Sequence, residues 1–123
     1  MILKTYARIF TQDVSASLVL LEQLIGRGPD MRFTKDELEL AAIGDILLVG
    51  GTEEALAPIR NSHGPLIVDD LAQTQVLLEQ AGAVITYPFT RTPNGAMLYA
   101  RHPDGNVVEY VEWLPEIVKR IIN

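Results

Sequence analysis

The sequence predicts an α+β chain made of two tandem β-α-β-β-β modules, and three features of its 123 residues lead there. The pentapeptide Val-Leu-Leu-Glu-Gln occurs at Val19 to Gln23 and again at Val76 to Gln80, 57 residues on and close to half the chain length. An aspartate precedes each copy at the same spacing, Asp13 and Asp70. Around each copy a helical apolar period is flanked by short β-favouring runs. A duplicated unit of this size means two equivalent modules, whose matching residues can converge on one shared cleft.

In the first module, Lys4 to Thr11 alternates and favours β structure, so it reads as one strand ending at Gln12-Asp13. Asp13 then serves as N-cap of a helix from Val14 to about Ile25, with Val14, Leu18, Leu21 and Ile25 as its buried stripe. Gly26, Gly28 and Pro29 stop it. Strands are expected around Met31 to Thr34, Leu38 to Ile43 and Ile46 to Val49, the last two joined by a turn at Gly44-Asp45. Gly50 to Arg60 is a connector in which Glu53 to Leu56 forms a helical turn ahead of Pro58.

The second module repeats the order. His63 to Val68 is its first strand, Asp70 its N-cap, and Gln73 completes a capping box. Leu71 to Ala81 is the helix, ended by Gly82. Strands follow at Val84 to Thr90, Ala96 to Arg101 and Asn106 to Glu112, joined by Asn94-Gly95 and by Pro103-Asp104-Gly105. Leu114 to Ile122 is a short terminal helix with Pro115 near its first turn.

A chain of this length buries roughly two-thirds of its unfolded surface, enough for one core. Residues 1–123 therefore read as a single domain, with module one at about 1–57, module two at about 61–114 and the terminal helix at about 115–122. The absence of cysteine excludes disulfides, thiolate metal sites and cysteine nucleophiles. A net charge of −6 with no Lys/Arg cluster argues against nucleic acid as a partner. No apolar run is long enough to span a bilayer, and the N-terminus has no signal-peptide pattern, so no membrane association is expected and the reading is a soluble, cytoplasmic protein. Ser15, Ser17 and Ser62 lie in no nucleophile elbow, and Gly50-Gly51 lacks the pattern and lysine of a phosphate loop.

Two such modules, the helix entries Asp13-Val14 and Asp69-Asp70-Leu71, and above all the final strand segment Asp104-Gly105-Asn106-Val107-Val108-Glu109 resemble the vicinal oxygen chelate superfamily. That group contains glyoxalase I, bleomycin-resistance proteins and extradiol dioxygenases. The resemblance covers nearly the whole chain. It implies a concave, partly open mixed sheet with helices outside, and in metal-using relatives each module gives one ligand from its first strand and one from its last.

The repeat locates these positions. Tyr6 lies 57 residues before His63, giving the first-strand pair, and aligning Gly44-Asp45 with Gly105-Asn106 pairs Leu48 with Glu109. Of the quartet Tyr6, Leu48, His63 and Glu109, leucine cannot ligate and tyrosine is an uncommon donor for zinc, nickel or manganese. Only His63 and Glu109 suit a divalent cation, so no metal cofactor is expected; if a metal is present, these two hold it. His63 also reads as an exposed strand-start residue satisfied by water, and Glu109 as the partner of a structural arginine. A carboxylate set between Val107 and Val111 on one strand face needs pairing, protonation or a metal.

Arg8 shares a strand face with Tyr6, and its fork suits a ligand carboxylate or phosphate as well as it suits Glu109. Tyr99 and Arg101 share a face with Met97 on a strand adjoining that of Glu109, and this face is either the cleft or the helix-packing side. Trp113 is expected to pack the terminal helix or a subunit interface, and His102 to be a solvated loop residue. The expected function is small-molecule binding or sequestration in a metal-free cleft lined by Tyr6, Arg8, Leu48, His63, Tyr99, Arg101 and Glu109, similar to bleomycin-resistance proteins. The alternative is a metal-dependent lyase, isomerase or dioxygenase using His63 and Glu109. The resemblance implies a homodimer, which would also cover open strand edges.

Overall fold

A computed structural model describes residues 1–122. The chain forms two compact units, one spanning Tyr6–Asn61 and the other joining Met1–Thr5 to the chain from Ser62 onward. The expected strand from Lys4 to Thr11 is thus two strands, β1 (Ile2–Thr5) and β2 (Ala7–Thr11), with Tyr6 between them. β1 pairs antiparallel with β6 (His63–Val68), so the first five residues leave module one and join the second unit. A β-favouring run states that it will pair but not with what, and no Gly or Pro marks the change of sheet.

In the Tyr6–Asn61 unit, β2 leads through α1 (Val14–Ile25) to β3 (Met31–Lys35), β4 (Leu38–Ile43) and β5 (Ile46–Gly50), then α2 (Glu53–Leu56) and a 3-10 turn, Ala57–Ile59. The sheet order is β2-β5-β4-β3, parallel between β2 and β5 and antiparallel elsewhere. Asp13 accepts a hydrogen bond from the Ala16 N–H at 3.0 Å, and Gly26 ends the helix in the left-handed region at φ 89°. Val14 and Leu18, flanked by Leu21 and Ile25, pack on Ala41, Ile43, Ile46 and Leu48. Fully burying aliphatic side chains such as these contributes about 1.5–3 kcal/mol each.

The other unit repeats this plan with one added strand. β6, α3 (Leu71–Gln80), β7 (Val84–Thr92), β8 (Gly95–Arg101) and β9 (Val107–Trp113) precede the terminal helix α4 (Pro115–Ile121). The sheet order is β1-β6-β9-β8-β7, with β6 parallel to β9. Asp70 caps α3 through the Gln73 N–H at 3.0 Å, and Glu112 of β9 accepts from the Leu71 N–H at 2.7 Å. Leu71, with Leu78 against it, packs in a core of Val68, Ala96, Leu98, Ala100, Val108 and Tyr110. The architecture is therefore mixed α+β, in two sheets of five and four strands. No described helix is long and apolar enough to cross a membrane.

Candidate functional site

Strand periodicity sorts the candidates in the five-stranded sheet. Leu98, Ala100, Val108 and Tyr110 belong to the core that includes Leu71 of α3, and side chains alternate along a strand, so Met97, Tyr99 and Arg101 of β8 and Val107, Glu109 and Val111 of β9 occupy the opposite face. That decides the open question for Tyr99 and Arg101: they lie on the helix-averted side with Glu109. Tyr99 stands directly across from Glu109, and Tyr87 of β7 directly across from Tyr99. The two tyrosine rings meet edge to face, 6.2 Å between centroids at 71°. This row of Tyr87, Tyr99 and Glu109 is flanked by Arg101, which is exposed, while Tyr99 and Glu109 are half-buried.

His63 begins β6 opposite Val108 and is exposed. The next residue explains how closely the two strands run. Gly64 has φ +106°, and a Cβ there would lie 2.8 Å from the Glu109 carbonyl oxygen and 3.1 Å from the Leu66 nitrogen. Only glycine lets the β6 backbone approach Glu109 in this way. The pairing register is irregular between His63 and Leu66, so His63 sits beside Glu109's strand without sharing the regular alternation of β6.

In the four-stranded sheet the register corrects one assignment. Leu48 is fully buried among Val14, Leu18 and Ile43, on the helix-packed face. Ile9 pairs with Leu48 and Leu66 with Tyr110, so Leu48 corresponds to Tyr110 and the counterpart of Glu109 is Leu47. Aligning the turns slipped the last strand by one residue, and a one-residue slip exchanges the two faces of a strand. Leu47 cannot ligate either, so the first module still supplies no donor at this position.

Arg8 pairs with Leu47 and Phe10 with Val49, which puts both on the face away from α1. The Arg8 and Arg60 guanidinium carbons lie 5.5 and 5.4 Å from the Phe10 ring centroid, within cation-π range. Arg60 also contacts Glu53 at 3.2 Å, and Gln12 donates to the same carboxylate at 2.8 Å. Tyr6 is 2% exposed; burial pushes its hydroxyl pKa up, and the Asp30 and Asp45 carboxylates push it further. No group of three or more described His, Cys, Asp or Glu side chains is placed to hold a metal ion, so the donor set does not fit a four-ligand centre.

Three residues went unrecognised in the sequence. Arg60 hides in a connector and reaches Phe10 only through the fold. Tyr87 was signalled by its place in a β-favouring run, but its alignment with Tyr99 depends on register. His102, expected in solvent, is half-buried, with Nε2 2.7 Å from the Tyr110 hydroxyl. Burial pushes the Tyr110 hydroxyl pKa up as well.

A crystal structure of an uncharacterized protein from Methanosarcina mazei matches this fold with a TM-score of 0.87 at 38% identity, over 93% of this chain and 94% of that one. The chain belongs to the same family as that protein. Methylmalonyl-CoA epimerase from Mycobacterium tuberculosis matches with a TM-score of 0.74 at 16% identity, over 96% of this chain and 93% of that one. A Streptomyces coelicolor methylmalonyl-CoA epimerase variant in complex with 2-nitronate-propionyl-CoA matches at 0.69 and 14%, over 100% of this chain and 99% of that one. Methylmalonyl-CoA epimerase is a member of the vicinal oxygen chelate superfamily, and at these identities the likeness establishes that fold. No family model and no curated protein matches the sequence.

Proposed function

We propose that the chain binds a small anionic organic molecule against the helix-averted face of its five-stranded sheet, through Arg101, Tyr99 and Glu109, with Tyr87 extending the aromatic edge and His63 at the start of the neighbouring strand β6. The observation that carries this reading is the cross-strand row Tyr87, Tyr99 and Glu109 on the face that α3 leaves uncovered. Tyrosines supply contact area at small entropic cost, and an arginine beside them supplies a bidentate anion contact. Arg8 occupies the face of the four-stranded sheet away from α1, with its guanidinium over Phe10. Because the structural relatives include proteins named for, or crystallised with, CoA thioesters, short acyl-CoA thioesters are the first ligands to offer. The reading needs no protein-built metal centre, and leucine at the first module's last-strand position supports it. It runs as a homodimer in a cytoplasmic setting.

Thermal-shift titration with CoA, short acyl-CoA thioesters and free dicarboxylates tests it, each with and without chelator. A ligand at a hundred times its dissociation constant adds about 2.7 kcal/mol to stability. That gain should survive chelation and shrink in Arg101→Ala and Tyr99→Ala. No stabilisation by any of these ligands would sink the reading.

The fold likeness to epimerases favours one alternative, an isomerase, lyase or dioxygenase working through His63 and Glu109 with a divalent metal. Under it, added metal and not ligand alone would stabilise the protein. Deuterium from heavy water would also enter the carbon α to the thioester, and both effects would vanish in His63→Ala and Glu109→Gln.

A further inference from the structure

Arg101 and Glu109 bring opposite charges to one face of the five-stranded sheet. The register sets them diagonally: Arg101 pairs with Val107, two residues before Glu109, and Glu109 pairs with Tyr99, two residues before Arg101. Diagonal neighbours of this kind lie about 7–8 Å apart. Their side chains are long enough to meet, yet Arg101 is exposed and has no carboxylate within ion-pair distance among the described residues. Tyr99 completes a triangle with them, beside Arg101 on β8 and across from Glu109, and the Tyr87 ring is set edge to face against it. Glu109 itself is half-buried, with Val107 and Val111 as its neighbours on the same strand face.

This arrangement bears on which acid the face selects. A guanidinium alone takes any carboxylate or phosphate. A carboxylate fixed one diagonal away repels a ligand that carries only negative charge, and partial burial limits the screening of that repulsion. The same carboxylate favours a ligand with a cationic group beside its acid. An ammonium is attracted by a carboxylate and, within about 6 Å of the ring centroid, by a tyrosine face. The cross-strand pair of Tyr99 and Glu109 offers both. A carboxylate accepts at about four lone-pair sites, so Glu109 can keep protein partners and still accept from an ammonium.

We infer that the ligand of this face is an organic acid that also carries an ammonium group, its acid end on Arg101 and its ammonium on Glu109 and Tyr99. The inference rests on the anion-binding reading and adds to it a cationic group opposite Glu109.

Calorimetric titration of the full chain with matched ligands tests it. Glutamate is compared with glutarate, and aspartate with succinate, since each pair differs only in the ammonium. The amino form of each pair should bind about tenfold or more tightly. Glu109→Gln should abolish that preference, while Glu109→Asp keeps the charge and should retain most of it. Arg101→Ala should weaken all four ligands by similar factors and leave the preference in place. The comparison within wild type needs no variant to fold, and thermal unfolding checks that each variant does. Equal binding within the pairs overturns the inference and leaves the anion-binding reading standing. Binding of a short acyl-CoA thioester but of none of the four ligands does the same. A folded Glu109→Gln variant that keeps the preference also overturns it. If neither the four ligands nor any thioester binds, both fail together.

Discussion

Gly64→Ala should be the most informative single change in the five-stranded sheet, because the structure separates its cost into two parts. An L residue held at φ +106° bears a conformational penalty of about 1–2 kcal/mol. The new methyl would also lie 2.8 Å from the Glu109 carbonyl oxygen, closer than Cβ atoms approach, so β6 must move a few tenths of an ångström from β9. Overpacking of this kind costs about 1–3 kcal/mol, for a total near 2–5 kcal/mol. Gly105→Ala is the control: φ is +94° there, but nothing lies within 4 Å of the added methyl, so only the conformational part, about 1–2 kcal/mol, applies. Urea unfolding followed by the fluorescence of Trp113, the sole tryptophan and a buried one, measures both. Equal losses in the two variants, within about 0.5 kcal/mol, would refute the claim that Gly64 is required by the approach of β6 to Glu109. If the claim holds, Gly64→Ala should also weaken ligand binding by disturbing His63 and Glu109 together.

Three further outcomes follow from the same geometry. Leu48→Ala should cost about 3 kcal/mol in chemical denaturation and leave ligand affinity unchanged, because Leu48 fills the core under α1; a near-neutral change would put it back on the other face. Tyr6 and Tyr110 should titrate late in an alkaline absorbance titration, since burial raises both hydroxyl pKa values above the ordinary 10.0. The unfolded chain releases these protons first, so stability is fully present below pH 10.0 and falls as pH rises through the higher folded values; Tyr6→Phe should reduce that loss. Asp70→Ala should cost about 1 kcal/mol by removing the Gln73 N–H acceptor, measured by thermal unfolding, and Glu112→Ala about 1–3 kcal/mol by removing the acceptor for Leu71.

Much of the fold was legible because its signals are local. The interval from Asp13 to Ile25 contains cap, stripe and stop within one stretch of chain, and the structure places α1 at Val14–Ile25. Asn94-Gly95 and Pro103-Asp104-Gly105 marked the turns that join the last three strands. The site was legible only in part. Alternation put Glu109 with Val107 and Val111, but which face was helix-covered depended on what α3 packs against. Leu48 was misassigned because turns of unequal geometry were used to align strands with a two-residue period.

By itself, then, the sequence determined the duplication, the order of helices and strands, and the scarcity of metal donors, since a residue's chemistry and its local propensities travel with it. Tertiary structure alone decided that Ile2–Thr5 pairs with β6, that Leu47 and not Leu48 matches Glu109, that Tyr99 and Arg101 face away from α3, and that Val19, Leu20 and Leu24 remain exposed. Each of these depends on partners distant in sequence, and strand register turns a single-residue difference into the opposite face.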